Sequence, residues 1–243
     1  VFVAFLVAVV LLLRTPSAKT IQKARKEYHK TYWRSAVGPL MLISSVSFLI
    51  GYSDIIMLGI LAPGKEVGVY RVVSQTAGFV AFFLQAVNSI IAPRFAQFAN
   101  SDHRDELQET IDWSTKLVAL LTVPVAIALI VMAKPFLSLV FGEEFSGGAV
   151  PMAILVVGQV GNVLAGSVTL LLSMSGHQRL AARTLLFYAA LNILLNAMLI
   201  PLFGIVGAAI ATAACLIGSN FYLRLVVREE LEVESSALFR LFA

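Results

Sequence analysis

Two charged residues stand inside apolar stretches of this chain, Asp54 and Arg71, both within GYSDIIMLGILAPGKEVGVYR at residues 51–71. A carboxylate and a guanidinium at membrane depth can pair with each other, ligate a cation, or attract an anion. Polar residues recur around them at helical spacing. In one apolar segment Arg71, Gln75, Gly78, Phe82, Gln85 and Ser89 follow at intervals of four and three, which places them on one helix face, with Ser74 and Asn88 beside it. Gln159, Asn162, Gly166, Thr169 and Ser173 repeat the pattern, as do Ser44, Ser47, Gly51 and Asp54, and Tyr188, Asn192 and Asn196. In lipid each helix satisfies its own backbone, so polar side chains at that depth must face protein or water.

Catalytic chemistry has no comparable seat. His29, His103 and His177 stand apart from each other and from Cys215, without metal-ligand spacing. His103, Arg104 and Asp105 match a kinase catalytic loop only by letters, and neither a phosphate-binding glycine loop nor a GxSxG elbow occurs. We therefore expect no enzyme, no metal site and no cofactor. The lone Cys215 forms no internal disulfide and reads as a small packing residue.

The elements that must hold these stripes are membrane helices. Of 243 residues 59% are hydrophobic and 13% charged, with mean hydropathy +0.88, and apolar runs of about 20 residues recur. The chain is expected to be all-α and polytopic. It opens on VFVAFLVAVVLLL (1–13), too short to span and read as the end of a truncated helix. A basic linker follows (14–36), then a six-helix bundle over 37–228 and a tail at 229–243. Span limits are expected near 37–61, 67–92, 115–133, 149–173, 184–202 and 204–226.

Alternate loops must share a side of the membrane. One set, with the linker and tail, holds 15 of the 18 Lys and Arg residues; the other holds Lys65, Arg71 and Lys134. That asymmetry assigns the linker and C-terminus to the cytoplasm and makes lipid headgroups, not nucleic acid, the partner of the +4 net charge. Residues 94–113 read as an amphipathic interfacial helix preceding a span, and the loop from Lys134 to Gly148 as a short turn capping the mouth between helices.

The polar stripes admit two readings, a shared hydrophilic cavity or interhelical glue. We expect the cavity reading for the glutamine and asparagine stripes. Glue is expected for Gly204, Gly207, Ala211, Cys215 and Gly218, and an interfacial anchor for Tyr70 and Tyr222. Asp54 and Arg71 lie at similar depth about the APGKE turn, each about 10 Å inside its helix end, which predicts that they approach each other or share one cavity. The pair would then be structural, or Arg71 would attract an anion while Asp54 orients it or binds a cation.

Residues 37–228 resemble one known group. Asp54 through GILAPGKEVGVYR, the PRFAQF step, KPFLSLVFGEEF, and SGHQ followed by NILLNAMLIPLFGIVGAAIAT resemble, in order and spacing, the C-terminal half of polysaccharide flippases of the multidrug/oligosaccharidyl-lipid/polysaccharide exporter superfamily. The resemblance implies two six-helix bundles, the N-terminal one lying outside these 243 residues. It also implies movement of lipid-linked oligosaccharide between leaflets of the bacterial inner membrane by alternating access through a cationic cavity. Arg71 becomes the deep cation of this half and Asp54 the acid available to a coupling cation. The substrate-cavity set is then Arg71, Asp54, Gln75, Gln85, Asn88, Gln159, Asn162, Asn192 and Asn196. This sequence departs from relatives with several basic cavity residues, since only Arg71 is evident here. Three alternatives stay open: a drug/cation antiporter of the same superfamily, a membrane-embedded glycosyltransferase or polymerase, and a non-transporting scaffold whose stripes bury against one another.

Overall fold

A computed structural model describes residues 30–62, 64–98 and 104–231, together with Val233 and Ser235. The stub at 1–13 and most of the linker lie outside the described residues. The chain divides into two compact units, 1–36 and 37–243. The described residues contain helices and no strand: α1 (Lys30–Leu61), α2 (Gly64–Gly78), α3 (Phe82–Phe98), α4 (Arg104–Val131), α5 (Ala133–Phe141), α6 (Ala149–Ala165), α7 (Val168–Met174) and α8 (Gln178–Leu231), with 3-10 segments at Phe79–Ala81 and Glu143–Gly148. Four helical stretches, Gly64–Gln97, Asp105–Val131, Glu143–Ala165 and Gln178–Leu231, are long and apolar enough to cross a membrane. This is a multi-pass, all-α membrane protein.

The longest helix is two spans. Tyr188 touches Gly218, and the Asn192 amide donates to Thr212 Oγ1 at 3.4 Å. In a straight helix 30 and 20 residues would separate these two pairs by about 45 and 30 Å, so the two arms of α8 run antiparallel. The bend follows Pro201 and falls at Gly204, whose φ of 55° and ψ of −133° suit a residue without Cβ. A side chain there would meet the Glu66 carboxylate on α2.

Two apolar clusters fill the interior, one at each end of the bundle. At the end holding the α1–α2 turn, Leu58, Tyr70, Val73, Leu137, Met152, Val156 and Ile200 pack together; at the other, Ile91, Phe95, Leu107, Leu171, Leu172, Leu223 and Val227 do so. Small residues let backbones approach: a Cβ on Gly158 of α6 would lie 2.9 Å from Ala213 Cα of α8. Gly207 likewise abuts the Leu199 carbonyl, while Ala211 and Cys215 are buried, as the packing reading of that span expects.

Two loop expectations need correction. Residues 104–113 are the first turns of the α4 span itself, because Leu107, Ile111 and Ser114 face inward and the 3.6-residue period runs unbroken into the apolar segment. The stretch after Lys134 forms α5 and a 3-10 segment rather than a short turn. Leu137 is fully buried, and Gly148 sits so close to Val69 and Val73 that it locks this segment onto α2.

The other end of the bundle carries a break and a strap. Between α6 and α7 the chain turns at Gly166 (φ 81°), and the freed Ala165 carbonyl accepts a 3.0 Å hydrogen bond from Ser235 Oγ. The Ser235 carbonyl lies directly against Gly166, leaving no room for a Cβ. Val233 and Ser235 are both buried, so these two residues beyond α8 pack onto the bundle.

Candidate functional site

The nine residues expected to line one cavity separate into three groups. The first is a buried polar cluster at Asp54. Its carboxylate Oδ2 accepts from Tyr70 Oη at 2.6 Å and from Thr212 Oγ1 at 3.3 Å, and Oδ1 accepts from the Ile55 amide at 2.8 Å. The Asn192 side-chain amide donates to Thr212. Its Oδ1 accepts from Ser53 Oγ at 2.9 Å and from the Asn196 amide at 3.0 Å. Asn196 Oδ1 is buried without a partner. The cluster thus joins α1, α2 and both arms of α8, and its centre holds one carboxylate and no basic side chain.

Helical geometry explains the assembly. Asn192 and Asn196 are one turn apart on the first arm, Thr212 meets Asn192 across the bend, and Tyr70 points at Asp54 across the α1–α2 turn. Tyr70 is completely buried, so it is a ligand of the carboxylate and not the interfacial anchor expected from sequence. Asp54 is 3% exposed.

The second group is the stripe on α2 and α3. Arg71, Gln75, Gln85 and Ser89 are all exposed, as are Phe79 and Phe82 between them. The expected approach of Arg71 to Asp54 does not occur. Tyr70 takes the carboxylate, and Arg71, one residue on and about 100° around the helix, points away from it. Polar residues on a membrane helix that no neighbour among the described residues covers require water or another protein surface opposite them.

The third group is bonded to neighbouring protein, between helices for Asn88 and within one helix for Gln159 and Asn162. Asn88 on α3 accepts a short hydrogen bond from Ser167 at the α6–α7 break. Gln159 and Asn162, both half-buried, share a 3.4 Å bond along α6. Sequence reasoning missed Thr212 and Tyr70. The signal for Thr212 was its place as the sole hydroxyl in GAAIATAACLIG, residues 207–218. Among the described residues no set of His, Cys, Asp and Glu side chains clusters as a metal site.

Comparison with known proteins gives a consistent lineage. The family described as "Polysaccharide biosynthesis protein" matches residues 1–150. A probable low-salt glycan biosynthesis flippase of Haloferax volcanii is 31% identical over 177 residues, covering 71% of this chain and 37% of the relative. A probable lipid II flippase of Vibrio cholerae is 28% identical over 134 residues, 53% of this chain and 26% of that protein. The chain therefore spans well under half the length of these relatives. Among solved structures, an outward-facing multidrug resistance MATE family transporter of the MOP superfamily shares the fold with a TM-score of 0.67. It is 23% identical, over 85% of this chain and 47% of that one.

Proposed function

This chain belongs to the polysaccharide biosynthesis protein family, and we propose that it is one half of a transporter that moves lipid-linked oligosaccharide between membrane leaflets. The observation that carries the reading is the exposed polar face of α2 and α3, where Arg71, Gln75, Gln85 and Ser89 stand uncovered on a membrane helix. A second bundle facing this stripe would enclose a wet cavity between the halves, as alternating access through two repeats requires. In that cavity Arg71 supplies the cation for an anionic lipid-phosphate group, and the glutamines hydrogen-bond sugar hydroxyls. The linker and C-terminus lie in the cytoplasm, by the bias of Lys and Arg.

The Asp54 cluster supplies the coupling site in this reading. A buried carboxylate without a basic partner must be protonated or hold a cation, since an isolated charge in a low-dielectric interior is costly. Its surroundings suit a small hard cation or a proton: hydroxyl oxygens of Tyr70 and Thr212, and carboxamide oxygens of Asn192 and Asn196. Because the cluster ties the α1–α2 turn to both arms of α8, its occupancy would bias how those helices pack.

Arg71→Ala in the full-length protein tests the substrate role. Flipping measured in proteoliposomes should fall about tenfold or more, the loss expected for a charged hydrogen bond to an anion. Unchanged flipping would reject it. A drug/cation antiporter would instead transport cations in exchange for sodium or protons and tolerate loss of Arg71.

A further inference from the structure

A groove of about 450 Å³ opens between the two arms of α8, lined by Leu180, Arg183, Thr184, Phe187, Tyr188 and Tyr222. It shares no lining residue with the Asp54 cluster or the α2 stripe and lies toward the end of α8 where its chain enters and leaves, one turn from Asn192 at its Tyr188 edge. Phe187 is 64% and Tyr222 46% exposed, although both belong to a span. The Tyr188 ring lies over Gly218, where a Cβ would come within 2.9 Å, so the glycine lets the tyrosine fold against the second arm and form the groove wall.

Arg183 gives the groove its chemistry. It is exposed, and among the described residues no carboxylate pairs with it, whereas Arg224 and Arg228 on the opposite arm are engaged. It stands five residues after Gln178, about 8 Å along the helix, a depth from which a guanidinium reaches the headgroup layer while its stem stays in apolar surroundings. Two tyrosines beside it match the amphipathic belt where a bilayer turns from apolar to wet. The combination is an apolar slot about the size of a small ligand site, with one cation on its lining.

We propose that this groove is a binding site for one anionic phospholipid of the cytoplasmic leaflet. Its phosphate lies against the Arg183 guanidinium and its acyl chain runs along Phe187, Tyr188 and Tyr222. Charge complementarity selects an acidic lipid over a zwitterionic one, and the cytoplasmic leaflet follows from the basic bias of this side. A phospholipid fits better than a glycan-bearing lipid. The polar lining consists of one guanidinium and three hydroxyl-bearing side chains, without the carboxamides that would hold a string of sugars.

The test is native mass spectrometry of the full-length protein in detergent, with phosphatidylglycerol and phosphatidylcholine titrated at equal concentration. The wild type should bind phosphatidylglycerol preferentially. Arg183→Gln should lower that preference about fivefold without altering phosphatidylcholine adducts, Arg183→Lys should keep most of it, and Arg179→Gln should leave it unchanged. The proposal is overturned if Arg183→Gln retains the preference, or if Arg179→Gln loses as much, which would mean diffuse surface charge. It is also overturned if a polyprenyl monophosphate displaces the phosphatidylglycerol at equal concentration, which would make the groove a substrate-lipid site.

Discussion

Tyr70 and Arg71 are adjacent in sequence and lie in regions that behave oppositely. Tyr70 is fully buried, donates to Asp54 and helps close a polar cluster that four helical segments share. Arg71 is exposed at the head of a polar stripe that no described residue covers. Depth in the membrane is nearly the same for both; the 100° step between consecutive helical residues makes the difference. One region is satisfied internally except at Asn196 Oδ1 and is suited to setting the packing of helices. The other is left unsatisfied and is suited to meeting something from outside. The same contrast separates Asn192 and Asn196 from Gln75 and Gln85, although all four are carboxamides in membrane helices.

Substitutions can break this contrast or sharpen it. The largest effect should come from Asp54→Leu, which leaves the buried Tyr70 hydroxyl and the half-buried Thr212 hydroxyl without their acceptor. We expect a loss of about 2–4 kcal/mol in stability, read by thermal or denaturant unfolding in detergent, together with loss of flipping. A fully stable Asp54→Leu protein would show that the cluster does not tie these helices together. Arg71→Ala comes next and should separate the two readouts. Flipping falls about tenfold while stability stays within about 0.5 kcal/mol, because the side chain is exposed. A destabilised Arg71→Ala would mean that the arginine has a structural partner in the full protein.

Smaller effects sharpen the boundary. Tyr70→Phe removes one donor to a carboxylate that keeps Thr212 and the Ile55 amide, so about 1 kcal/mol of stability should be lost. An effect as large as that of Asp54→Leu would make Tyr70 the centre of the cluster. Gln75→Leu and Gln85→Leu should leave stability unchanged and slow flipping about two- to fivefold each, in keeping with a net hydrogen bond of 0.5–1 kcal/mol. If instead either variant aggregates or unfolds, the stripe is a helix interface.

The sequence carried the helices and their faces because lipid imposes a strict rule: long apolar runs and polar residues at a 3.6-residue period. The exposed set Arg71, Gln75, Gln85 and Ser89 is the stripe that the spacing predicts, and Gly207 and Gly218 pack as small residues should. What it did not carry was partner choice. Counting residues from the APGKE turn fixes depth and leaves rotation open, so Asp54 could be matched with residue 70 or 71, and charge pointed to the wrong one. The geometry favours the tyrosine, whose hydroxyl reaches a buried carboxylate without bringing a second charge out of water. Thr212 was hidden for a related reason. It sits in a run of alanine and glycine that explains itself by packing, and its role appears only when Gly204 folds one arm of α8 against the other. The α6–α7 break and the strap at Ser235 depend on contacts 70 residues apart, which no local period records.

We propose that the buried cluster and the exposed stripe are independent parts, one for a cation and one for substrate. Thermal unfolding of the full-length protein, with sodium varied at fixed pH and pH varied at fixed sodium, tests it most directly. One of the two should raise the unfolding temperature of the wild type and of Arg71→Ala equally, and Asp54→Asn should abolish the shift. A shift that survives Asp54→Asn, or that disappears with Arg71→Ala, would contradict it.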